Sequence, residues 1–233
     1  MSPEKLQWRK VIKGVIAKYV SGTSGLPQGQ SQMLDWGDIR ENDFVILVVG
    51  RAGSGKTTFV NTVSKSELLK VDRGLSKGTR NMGTILCEKV KPRIVLVDTP
   101  PHPDEDSEMV LQDWLQSKSR KSKMKINGLI YVHQMGTTTN RFRPQETLGK
   151  LQQWGGDEIK DIPYIMVKTR WNLAVPGQDA LVEEAWKEGR YKGPDPVVLQ
   201  KKDDADAGWG VVKLLLENSG YNLEESDETT GVH

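Results

Sequence analysis

The chain has 233 residues, a formal net charge of +2 and one cysteine. That length suits one sizeable α/β domain with extensions. The near-neutral charge points to no particular polyanionic or acidic partner. The lone Cys87 excludes an internal disulfide framework and fits a reducing compartment, and no apolar run approaches a membrane span or a signal-peptide core. The expectation is a soluble cytoplasmic protein, with association to a membrane surface left open by its N-terminus.

Residues 1–20 read as an amphipathic helix with Pro3 near its start. Trp8, Val11, Ile12, Val15, Ile16, Tyr19 and Val20 line one face, and Lys5, Arg9 and Lys13 share another. Such a helix either packs on the domain or a second copy, or meets a membrane surface or protein partner. Residues 21–42 are rich in Ser, Gly and Gln and read as a linker. A domain over 43–218 and an acidic tail over 219–233 complete the division.

The central signal begins at Phe44-Val45-Ile46-Leu47-Val48-Val49, a continuous apolar run of the kind found in a strand buried on both faces. It runs into Gly50-Arg51-Ala52-Gly53-Ser54-Gly55-Lys56-Thr57, which fits G-x-x-x-x-G-K-[ST] at every fixed position. Thr58-Phe59-Val60-Asn61-Thr62-Val63 follows at helical spacing, and this helix is expected to end near Leu69. Strand, glycine turn and helix together aim backbone N–H groups at one point, which is a phosphate site. Residues 50–58 form the binding loop. In it Lys56 offers a compact charge to β- and γ-phosphates, and Thr57 a hydroxyl to Mg²⁺.

Residues 70–83 are polar and read as a loop. Thr84–Val90 and Ile94–Val97 then form a hairpin, the second strand ending in Asp98-Thr99-Pro100-Pro101. An apolar strand ending in Asp behind a phosphate loop is where such proteins hold Mg²⁺ through water, so Asp98 joins Thr57 as a metal residue. Further on come a helix over 108–119, a strand over 128–133 and a helix over 143–153. After these follow a strand over 162–167, a helix over 178–187, a short strand over 196–199 and a helix over 207–217. The basic run 118–125 lacks the interleaved aromatic residues that would argue for nucleic acid, and none is expected as a partner. His133 reads as strand-end packing. The alternation implies a three-layer P-loop α/β fold: a mostly parallel sheet with one antiparallel hairpin strand, and helices on both faces.

Four stretches carry a family resemblance: Gly-Lys-Thr-Thr-Phe-Val-Asn from Gly55, Val97-Asp98-Thr99-Pro100, the strand Gly128–His133, and Thr169-Arg170-Trp171-Asn172. Over residues 42–218 the chain resembles the septin-like GTPases, most closely the immunity-associated GTPases and related fungal G-domain-containing proteins. The resemblance implies binding of guanine nucleotide (GTP or GDP) with Mg²⁺, slow intrinsic hydrolysis and a homodimer across the nucleotide face. By position it places Thr79 on Mg²⁺ and the γ-phosphate, and Thr169, Arg170 and Asn172 at the base. Arg51 is open as an arginine finger, in cis or across a dimer.

The pattern is broken in two places, and a third position offers a candidate. Pro101 stands where the family has a glycine whose N–H meets the γ-phosphate, and proline has no N–H. Asn172 replaces the aspartate that accepts two hydrogen bonds from guanine, and one amide cannot accept both in that manner. His102 falls where other GTPases orient the attacking water. The reading is therefore a slow Mg²⁺-dependent GTPase with Lys56, Thr79 and His102 as catalytic residues. Its alternative is a non-hydrolysing, nucleotide-dependent interaction module with relaxed base specificity.

Overall fold

A computed structural model describes residues 31–69, 82–87, 90–101, 105–121, 124–135, 144–156, 159, 162–169, 197–198, 205–221 and 224–225. The elements are β1 (Ser31–Met33), a 3₁₀ turn (Trp36–Asp38), β2 (Phe44–Val49), α1 (Lys56–Val63), β3 (Gly83–Cys87), β4 (Val90–Lys91), β5 (Ile94–Asp98), α2 (Glu105–Lys121), β6 (Ile126–Gln134), α3 (Pro144–Gly155), β7 (Tyr164–Thr169), β8 (Val197–Val198), α4 (Ala205–Asn218) and β9 (Glu224–Glu225). The N-terminal helix expected over 1–20 and the helix expected over 178–187 lie outside the described residues.

Among the described residues, seven strands form one sheet in the order β1-β3-β5-β2-β6-β7-β8. β2 runs parallel to β5 and β6, β6 to β7 and β7 to β8, while β3 is antiparallel to both β5 and β1. One antiparallel strand in a parallel sheet is the arrangement expected from the hairpin before Asp98. Alternate residues of β2 serve two cores. Phe44, Ile46 and Val48 pack with Phe59, Val60 and Val63 of α1 and Trp209, Val212 and Leu215 of α4. Val45, Leu47 and Val49 pack with Leu111, Trp114 and Leu115 of α2 and Leu148 and Leu151 of α3. A strand buried on both faces has no use for polar residues, which is why β2 reads as an unbroken apolar run. Its register against β6 shifts between Val45 and Ile46, and there the Asn127 side chain accepts from the Val45 N–H at 2.9 Å.

Two expectations are corrected and a third is extended. Residues 31–38, placed in a linker by composition, supply β1 and the 3₁₀ turn. Ser31, Gln32 and Met33 pair with Cys87, Leu86 and Ile85, and Trp36 packs against Trp114 with ring centroids 4.9 Å apart and ring planes tilted by 60°. The acidic segment after α4 is also structured in part, since Glu224 and Glu225 pair with Lys91 and Val90 at the hairpin tip. Helix α1 stops at Val63 rather than near Leu69. There the Ser64 hydroxyl donates back to the Val60 carbonyl at 2.7 Å, and Lys65 takes a left-handed φ of 49°. A side chain in that region is strained relative to glycine. Lys65→Gly is therefore expected to stabilise the fold by about 1 kcal/mol, seen as a higher denaturant midpoint with an unchanged m-value.

Candidate functional site

The loop after β2 turns within a space that glycine alone leaves. A Cβ on Gly50 would strike the Val132 carbonyl of β6, and Gly50 itself has φ 149°. Gly55 caps α1 at φ 97° and, as glycine, supplies no side-chain cap. Uncapped amides at a helix N-terminus form a site for an anion. The Ser54 hydroxyl, buried in the same loop, has no partner among the described residues.

Lys56 is buried, and its ammonium donates to the Gly50 and Arg51 carbonyls at 3.0 and 3.1 Å. Burial pushes its pKa down to about 8, against the pull of Asp98. Asp98, fully buried at the end of β5, moves the other way. Burial pushes its pKa up to about 6, opposed by the Thr57 hydrogen bond and the Lys56 charge. Thr57 donates to Asp98 Oδ2 at 2.6 Å, whereas Asp98 Oδ1 is buried without a hydrogen-bond partner among the described residues. A hydroxyl and an orphaned carboxylate oxygen are hard oxygen donors, and they suit Mg²⁺ or one of its waters.

The loop is braced from the far side by β7. The Thr169 hydroxyl lies 2.7 Å from the Ser54 carbonyl and 3.2 Å from that of His133. The resemblance places Thr169 on the base side, and its hydroxyl ties the phosphate loop to the ends of β6 and β7. His133 and Lys168 are register partners there, both buried. Burial first, then the charges of Lys168 and Arg51, push His133 down to about 4, so it is a neutral imidazole at pH 7. Arg51 also acts on Tyr131, whose pKa burial pushes up to about 12.

The structure thus brings residues 50–58, Asp98 and Thr169 to one end of the sheet. Thr79, His102, Arg170 and Asn172 lie outside the described residues. Pro101 is described and buried.

A parallel strand, a glycine loop with a buried lysine and a strand-end aspartate bonded to the loop threonine define a P-loop nucleotide-binding protein. Residues 45–170, more than half of the 233, match the family model described as 50S ribosome-binding GTPase, and the chain belongs to that GTPase family. A search of curated proteins found no match. Membership implies a guanine nucleotide as ligand, with Mg²⁺ as its usual companion. No helix among the described residues is long and apolar enough to cross a membrane.

Removing the brace tests its contribution. Thr169→Val keeps the shape and deletes the hydroxyl, and it is expected to weaken nucleotide binding about tenfold. Thr169→Ser should bind as the parent does; titration with a fluorescent GDP analogue reads both.

Proposed function

We propose that this chain is a Mg²⁺-dependent GTPase of the septin-like branch, hydrolysing GTP to GDP slowly as a switch or assembly element. The observation that carries the reading is the convergence of Lys56, Thr57 and Asp98 on the loop, with Asp98 Oδ1 left over as an acceptor. Phosphoryl transfer to water depends on positioning and charge neutralisation more than on covalent chemistry. Lys56 and the amides of residues 50–58 hold and neutralise the phosphates, and Thr57 and Asp98 hold the metal. Mg²⁺, when bound there, would add positive charge that neutralises the phosphates. By resemblance, Thr79 completes the metal and γ-phosphate contacts, His102 orients the attacking water, and the segment of Thr169, Arg170 and Asn172 meets the base. A homodimer across the nucleotide face, and a membrane or protein contact through residues 1–20, belong to the same proposal.

One observation favours a second reading, a nucleotide-dependent interaction module that does not hydrolyse. Pro101 sits directly after the Asp98-Thr99-Pro100 strand end and has no N–H to offer the γ-phosphate. A single-turnover assay with Mg·GTP decides between the two: slow release of phosphate supports the GTPase, and bound GTP that stays intact supports the module. Under the first reading Pro101→Gly raises the single-turnover rate at least about tenfold, because it restores a donor aimed at developing charge.

Two binding measurements test the site itself. Lys56→Ala should weaken nucleotide binding about 100-fold, the scale of a lost charge-assisted contact, without unfolding the chain. Asp98 holds a cation only as the carboxylate, and its pKa is raised from 3.8 to about 6. The Mg²⁺-dependent gain in GDP affinity should therefore be full at pH 7.5 and fall as the pH drops through about 6. Asp98→Asn should lack that gain at either pH.

A further inference from the structure

Asn61 stands one turn along α1 from Thr57, on the same face of the helix. Both ends of its amide meet one residue: Nδ2 donates to the Leu69 carbonyl at 2.8 Å, and Oδ1 accepts from the Leu69 N–H at 3.2 Å. The Asn61 carbonyl also accepts from the Ser66 N–H at 2.9 Å. Since α1 ends at Val63, residues 66–69 have left the helix, and this side chain ties them back to it. Asparagine is a poor helix former, so its place inside α1 calls for such a reason.

The Leu69 side chain is buried against Gly83, the first residue of β3. A Cβ on Gly83 would lie 2.5 Å from Leu69 Cδ2. Across the β3–β5 ladder, Gly83 pairs with Asp98. Asp98 in turn accepts from Thr57 at 2.6 Å. The contacts therefore close a ring: Thr57 to Asp98, across to Gly83, onto Leu69, into Asn61, and back along one turn of α1.

We propose that Asn61 is a positioning residue for the Mg²⁺ end of the site: by seating Leu69 over Gly83 it holds β3, and through β3 the end of β5, against α1. This rests on the reading of Thr57 and Asp98 as the metal residues. Asn61 itself touches neither metal nor nucleotide. Its effect is on the distance and orientation between a helix and a strand end that must meet the same ion. The Gly83 notch is the other half of the joint, so a methyl group there should disturb it from the opposite side.

The test is the affinity for a fluorescent GDP analogue at pH 7.5, measured in EDTA and in excess Mg²⁺, for the full chain and for Asn61→Ala, Asn61→Asp and Gly83→Ala. Far-UV circular dichroism serves as the folding check. Asn61→Ala and Gly83→Ala are expected to keep the EDTA affinity within about twofold and to lose about tenfold of the Mg²⁺ gain. Asn61→Asp, which still accepts from Leu69 but cannot donate, should show the same sign. If Asn61→Ala does not fold, the other two carry the same readout. A wild-type gain that survives in the folded variants overturns the positioning role alone. A wild-type chain whose GDP affinity ignores Mg²⁺ overturns the metal reading beneath it.

Discussion

Two opposite charges buried at one end of the sheet set the terms for everything around them. Lys56 and Asp98 are each driven toward the neutral form by loss of water, and each opposes the shift of the other. Burial of an ionisable group is tolerated only where fixed dipoles or counter-charges replace the solvent. The loop carbonyls of Gly50 and Arg51 do this for the amine, and the Thr57 hydroxyl does it for one carboxylate oxygen. Beside this pair lie a helix N-terminus that has a glycine for its cap and the unpartnered Asp98 Oδ1, a polarity that suits a phosphate chain and a cation.

That arrangement needs a rigid support, and the two cores supply it. β2 is clamped between α1 and α4 on one face and α2 and α3 on the other. The loop therefore leaves a strand that cannot tilt, and Thr169 pins its middle from β7. His133 and Lys168 fill the space beneath without adding an exposed charge, since both are buried and the imidazole is neutral.

Much of this was readable in the chain because each element carried its own local cause. The glycine pattern requires the turn, the unbroken apolar run of 44–49 requires burial on both faces, and the hairpin ends in the aspartate its spacing implied. Most of what escaped has non-local causes. Ser31–Met33 is too short and polar to announce a strand, and it becomes one because β3 has an open edge. Glu224 and Glu225 are strand residues only by virtue of Val90 and Lys91. The end of α1 was misplaced because Ser64 and Lys65 read as ordinary helix residues until the backbone turns left-handed there. The hydroxyl of Thr169 belongs to a motif associated with the base, and its bond to Ser54 depends on two segments meeting from distant parts of the chain. The one sign of Asn61's part was an asparagine inside a helix, and that sign is weak without its partner in view.

The pairing of β9 with β4 has a consequence for the order of events during synthesis. Residues 50–58, 98 and 169 all leave the ribosome before residues 224–225 do. The hairpin tip therefore keeps an open edge until late in synthesis, when α4, whose side chains complete the core behind β2, has only just been made. Completion of that core and closure of the edge thus fall close together, and a ligand that binds only the finished loop stabilises the product of both.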